Sequence, residues 1–263
     1  MSQSTAKVSE LLQTANEEGD LSDRSLMVLN VPDVGMQIQA ALGVQVGNVD
    51  NQEVVLFAVE PDDSGSIAQY GNTQEVCDGH NLMLDALGES KQRENILICT
   101  RYLNGSLLND WRLLVNAERM SSSNYDPTLG TPLYDNTVVL LGSVIAKAAE
   151  AKQNGQVART VTVLVTDGAD LHSRRFSAAD VASLVGDMLA QETHIIAAIA
   201  INDGHTSTKQ VFLDMGIPEK WILSVGNSPK EIRKAFLLAS SSAVRASQGA
   251  ASFSQTAVGG FGS

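Results

Sequence analysis

The chain has 263 residues, 43% of them apolar, and thirty acidic against eighteen basic side chains give a formal net charge of −12. That composition suits a packed globular core, in one large domain or two small ones, and not a disordered chain. The negative field, with no local Lys/Arg cluster to offset it, argues against nucleic acid and anionic membrane as partners; a cationic partner fits, although acidity also simply keeps a protein soluble.

The first segment, "MSQSTAKVSELLQ", has no apolar core of the kind a secretory signal needs, and no later run approaches bilayer-spanning length. A cytoplasmic protein is expected. Val8, Leu11, Leu12 and Ala15 recur at helical spacing and predict an amphipathic helix over Thr5–Leu21, packed on the main body or serving as a partner-binding arm. "LMVLNVPDVGMQIQAALGVQV", Leu26–Val46, is apolar but interrupted by Pro32, Gly35 and Gly43, and reads as a lead-in strand and a short helix. Residues 1–50 are thus read as an N-terminal extension.

From Glu53 the pattern becomes regular. Strand-like runs fall at Val54–Val59, Asn95–Thr100, Trp111–Val115, Thr160–Thr166, His194–Ile201 and Trp221–Val225. Helix-like segments lie at Gln74–Leu87, Leu133–Lys152, Ala178–Gln191, Lys209–Met215 and Pro229–Arg245. "VTVLVT" and "HIIAAIAI" are apolar on both faces, as central parallel strands between helices must be. The alternation predicts an α/β, Rossmann-like, doubly wound and mostly parallel sheet with helices on both faces. Two strand-like stretches meet at Gly105 and Ser106, which predicts a hairpin adding one antiparallel edge strand. Residues 51–247 then form one domain. Cys77 and Cys99 are too few for a disulfide framework, and Cys99, inside "NILICT", reads as core. Residues 248–263, rich in Ala, Ser and Gly, have the composition of a flexible end, while Phe253 and Phe261 offer anchors for a docked arm.

Ligands of open α/β sheets bind outside the carboxyl ends of the strands. Three loops there carry hard oxygen groups: Asp62-Asp63-Ser64-Gly65-Ser66 after the first strand, Thr131 before the long helix, and Asp167 in "LVTDGAD". Bringing two carboxylates together without a cation costs energy through like-charge repulsion. Carboxylate and hydroxyl oxygens suit Mg²⁺, with Mn²⁺ or Ca²⁺ as alternatives, and not zinc. The alternative for Ser64 and Ser66 is an N-cap on the next helix. His80, His172, His194 and His205 show no metal-ligand spacing, and His80 falls on the apolar face of its helix.

Asp-x-Ser-x-Ser, a threonine in a middle loop and Thr-Asp-Gly after a later strand, in that order, resemble the metal-ion-dependent adhesion site of von Willebrand factor A domains. The resemblance spans roughly Glu53 to Arg245. It implies that Ser64 and Ser66 bind the metal through their hydroxyls, that Asp62 and Asp167 act directly or through water, and that Thr131 engages or releases as its loop shifts. It implies further that a partner's Asp or Glu carboxylate completes the shell, and that intracellular members work beside ATPase, kinase or phosphatase systems. Around this site Asp63, Gln69, Tyr70, Asn124, Tyr125, Tyr134, His172, Arg174 and Arg175 form the expected binding rim.

No phosphate-binding glycine loop, dinucleotide fingerprint or nucleophile elbow is present in the sequence, so an enzyme is not expected. The rival enzyme reading is a Mg²⁺-dependent phosphatase of the haloacid dehalogenase type. By resemblance it requires an aspartate two residues after the nucleophile, where this chain has Ser64 after Asp62 and Gly65 after Asp63. A third reading, motivated by the N-terminal extension and the small-residue tail, is a structural or scaffolding subunit of a homo- or hetero-assembly, with the metal site vestigial or filled by its own neighbour.

Overall fold

The structure, a computed structural model, describes residues 3–49, 52–202 and 204–248. Six strands form one sheet: β1 (Glu53–Pro61), β2 (Ile96–Arg101), β3 (Leu107–Leu113), β4 (Val157–Thr166), β5 (His194–Ile201) and β6 (Ile222–Val225). Their order is β3-β2-β1-β4-β5-β6, with every pairing parallel except β2–β3. The fold is therefore the α/β, mostly parallel sheet with one antiparallel edge strand that the alternation implies. β3 starts earlier than Trp111, because the turn at Gly105 is tight and irregular pairing between Ile98 and Arg101 shifts the register. The strand order reverses between β1 and β4, so the crevice for a ligand opens between their carboxyl ends.

Helices cover both faces. On one lie α6 (Leu133–Gln153) and α7 (Ala178–Ala190); on the other, α5 (Thr73–Gly88) packs against α9 (Pro229–Gln248). Two short helices, α4 (Gly65–Gln69) and α8 (Thr208–Asp214), complete the loops at the carboxyl edge. All eight residues of β5 are buried, which accounts for the continuous apolar run.

The N-terminal residues are a third layer over α6 and α7, built from α1 (Gln3–Glu17), α2 (Asp23–Leu29) and α3 (Pro32–Ala41). Val8, Leu11, Leu12 and Ala15 are buried as their spacing requires, and join the same apolar cluster as the sheet. The lead-in strand expected within Leu26–Val46 is absent; that stretch is helical. Ser22 accepts a bond from the Ser25 amide at the start of α2, and Pro32, far from breaking a helix, opens α3 at its first turn. Val34, Ile38 and Ala41 then face inward. The approach is close: a Cβ on Gly142 of α6 would meet Ile38 and Leu29 side chains at 2.6 and 2.7 Å.

Lys147, fully buried on α6, fixes this layer. Its ammonium donates to the carbonyls of Leu42 and Val44 just past α3, and to Glu150 at 2.7 Å; Lys7 of α1 reaches the other Glu150 oxygen at 2.6 Å. Apart from Gln248 at the end of α9, the small-residue tail with Phe253 and Phe261 lies outside the described residues. Among the described residues no helix is long and apolar enough to cross a membrane.

Candidate metal centre

Register places the end of β1 beside the end of β4, Pro61 against Val165, and the Asp62 amide continues the ladder to the Val165 carbonyl at 3.0 Å. Asp62 is fully buried. One carboxylate oxygen accepts the Ser64 amide at 2.7 Å, turning the chain, and the other accepts the Thr166 hydroxyl. Ser64 stands at the N-cap of α4, yet its side chain makes no capping bond. Its hydroxyl lies 3.0 Å from that of Ser66, which donates to Asp167 at 2.7 Å. The N-cap reading of these serines thus fails for want of the bond that defines it.

The Thr131 loop is bridged to this chain through the backbone: Ser64 pairs with Leu129, the Gly65 amide donates to Leu129 at 3.0 Å, and the Leu129 amide to Asp63 at 3.3 Å. Thr131 itself is buried. Asp62, Ser64, Ser66 and Asp167 are therefore joined in one hydrogen-bonded chain, with the Thr131 loop seated alongside. Thr208 of α8 closes the far side, its hydroxyl reaching the Asp167 carbonyl at 3.3 Å.

Three acids crowd the end of β1. Burial raises the Glu60 carboxyl to about 8, against the hydrogen bond from Thr137 and the charge of Arg101, and Asp62 and Asp63 raise it further. Burial also lifts Asp62 above the usual carboxylate range, opposed by hydrogen bonds from Ser64, Thr166 and the Asp167 backbone. Among the described residues no three His, Cys, Asp or Glu side chains gather as metal ligands. The donor set here is different: two carboxylates with three hydroxyls, on the carboxyl edge of the sheet, in a field short of positive charge. That chemistry fits a hard divalent cation.

Two expected rim residues do not lie on the rim. Tyr125 is buried; its hydroxyl donates to the Asp62 carbonyl and its ring packs against Tyr102 at 5.5 Å, so it supports the loop from beneath. Asp63 is also buried, one oxygen accepting the Asn104 amide at 3.0 Å and its side chain at 2.8 Å, which ties the β2–β3 hairpin to the β1 loop. Tyr70 and Tyr134 are half-buried, while Gln69, His172, Arg174 and Arg175 are exposed. Arg175 is engaged by Asp33 of α3 at 2.6 Å, and Asn124 by Glu118 and nearby backbone. His80 is fully buried against Thr100. Sequence reasoning missed Thr166, Asn104 and the exposed Leu129 and Leu171 beside the site; only Thr166, flanking Asp167 in "VTD", carries a local signal.

No protein-family model matches the chain, and no curated protein matches it in sequence. Solved structures do match. Proximal thread matrix protein 1 (PTMP1) of the mussel byssus aligns over 72% of this chain and 47% of its own, with 15% identity and a TM-score of 0.50. The pilus adhesin SpaC of Lactobacillus rhamnosus GG aligns over 74% of this chain and 30% of its own, with 11% identity and a TM-score of 0.53. The SpRpn10 VWA domain matches as well, at 12% identity over 77% of this chain and 97% of its own, with a TM-score of 0.46. The chain has the von Willebrand factor A fold. It spans half or less of the length of PTMP1 and SpaC. At such low identity a von Willebrand A likeness speaks for the fold, and the chemistry of this one rests on its own residues.

Proposed function

We propose that this von Willebrand A domain, residues 51–247, is a non-enzymatic, metal-dependent protein-binding module. Asp62, Ser64, Ser66, Thr131 and Asp167 hold a divalent cation, Mg²⁺ first and Mn²⁺ or Ca²⁺ as alternatives, and an Asp or Glu of a partner protein completes the coordination. The observation that carries this reading is the Ser66 hydroxyl, held between the Ser64 hydroxyl and the Asp167 carboxylate. It joins two loops far apart in sequence through hard oxygens alone. When bound, a divalent cation supplies the positive charge these buried acids lack and an open position for a hard oxygen ligand. Tyr70, Tyr134, His172 and Arg174 border that position as the proposed rim. The structural neighbours, a byssal thread matrix protein and a pilus adhesin, fit binding better than catalysis. A cytoplasmic setting and a partner from an ATPase, kinase or phosphatase system belong to the same proposal.

Titration calorimetry with Mn²⁺ and Mg²⁺ tests the first half. The wild type binds one equivalent and Ser66→Ala weakens binding about tenfold or more; a wild type that takes up neither ion overturns the reading. An immobilised protein then retains its partner in Mg²⁺ and releases it in EDTA. Sustained hydrolysis of a phosphate ester with Mg²⁺ would instead favour the phosphatase.

A further inference from the structure

The loop that carries Thr131 and the loop that follows Asp167 are fastened together by bonds that run both ways. From the second loop, His172 Nδ1 accepts the Thr131 amide at 2.8 Å, while the Leu171 and His172 amides donate back to the Thr131 carbonyl at 3.1 and 3.2 Å. Thr131 is thus held at both its backbone groups by two adjacent residues some forty positions away. Gly130 admits the imidazole: a Cβ there would sit 2.9 Å from Nδ1.

The fastening continues into α6. Asp170 accepts the Tyr134 amide at 3.2 Å and the Ser173 hydroxyl accepts the Asp135 amide at 2.9 Å, so the second loop caps the first turn of α6. In return the Asp135 carboxylate accepts the amides of Arg174, Arg175 and Phe176 at 2.9 to 3.1 Å. Backbone groups at a helix start need partners, and a carboxylate facing three amides makes strong, charge-assisted bonds. Neither loop can shift without stripping hydrogen bonds from the other.

We propose that His172 is a positioning residue for the metal centre: with Asp135 it locks the Thr131 and Asp167 loops into one unit, so that the hydroxyl of Thr131 is preset rather than free to engage and release. This rests on the proposed role of Thr131 in holding metal. His172 itself is exposed, and its ring lies over Gly130 with a single hydrogen bond to the loop through Nδ1, so the lock can be removed without disturbing the core.

The experiment compares wild type, His172→Ala and His172→Asn, whose side-chain oxygen can stand where Nδ1 stands and accept the same amide. Hydrogen exchange at Thr131 is read in metal-free protein and Mn²⁺ affinity by calorimetry. With the lock in place, His172→Ala speeds Thr131 exchange and weakens Mn²⁺ each by about fivefold or more, the worth of one hydrogen bond. His172→Asn restores both, which loss of general stability would not do. Unchanged exchange in His172→Ala overturns the lock. Faster exchange with Mn²⁺ affinity unchanged overturns the positioning of a metal ligand. If wild type binds no Mn²⁺ at all, the proposed function falls and positioning of a metal ligand falls with it, while Thr131 exchange still reports on the lock itself.

Discussion

Two buried polar clusters lie on the two sides of α6, and they are built on opposite principles. Toward the N-terminal layer, Lys147, Glu150 and Lys7 make a closed network in which every charge meets its opposite. Burial pushes the Glu150 carboxyl up, but the bonds and charges of Lys147 and Lys7 bring it below its usual value. At the end of β1, Glu60, Asp62 and Asp63 have only like charges close by, apart from Arg101, and burial drives all three upward. A folded protein seldom gathers buried acids without a counter-charge. The first cluster is complete as it stands and joins layers; the second leaves its acids destabilised as anions, and it is the one for which a cation is proposed.

The comparison is most exposed to failure at Lys147. Lys147→Ala leaves Glu150 buried with half its partners and uncaps the carbonyls of Leu42 and Val44. It should cost about 3–5 kcal/mol in denaturant unfolding, while Mn²⁺ binding stays at the wild-type level. A cost below about 1 kcal/mol would mean that the closed cluster is as dispensable as a surface pair.

Acid sharpens the contrast from a third direction. His80 and His194 are buried, and burial lowers both to about 4 from 6.5. Between those values the unfolded chain binds protons that the folded chain refuses, so stability falls as pH drops from about 6.5 toward 4, by about 3 kcal/mol for each histidine. Glu150, with its folded value depressed, adds a loss in the same direction below its ordinary range. His194→Asn should flatten the curve between pH 6.5 and 4. An unchanged slope would show that burial does not hold the His194 ring neutral.

Gly79 tests the other face of the sheet, where α5 packs against α9. A Cβ at Gly79 of α5 would stand 2.3 Å from the Phe236 ring of α9. Gly79→Ala should cost about 1–3 kcal/mol through overpacking, with metal binding intact. A neutral result in thermal unfolding would mean that α9 yields there.

The parts legible from sequence are those whose cause is local. β1, β4 and β5 announce themselves because burial on both faces leaves an unbroken apolar run, and the Asp62 loop because strand, acid and serine are contiguous. The α2–α3 pair was hidden because Pro32 reads as a breaker unless its place at a helix start is known. Loop position says nothing of direction, so the sequence alone sets Tyr125 and Asp63 on the rim although both are buried. Their partners, the Asp62 carbonyl and Asn104, lie 63 and 41 residues away. The Asp135 and His172 fastening is equally nonlocal, with partners about forty positions apart.

The smallest effect on stability is expected where the effect on function is largest. Asp62 is fully buried, so its removal as Asp62→Ala would strand the Ser64 amide and the Thr166 hydroxyl and unsettle the loop. Asp62→Asn is the cleaner probe. Its carbonyl oxygen can keep the Ser64 amide, its amino group can donate to the Thr166 hydroxyl, and one negative charge leaves the neighbourhood of Glu60 and Asp63. Unfolding free energy should therefore stay within about 1 kcal/mol of wild type or rise, while Mn²⁺ affinity falls by at least about a hundredfold. A variant as damaged as Lys147→Ala would place Asp62 in the same class as the closed cluster, a structural charge, and would remove the reason for a cation at the end of β1.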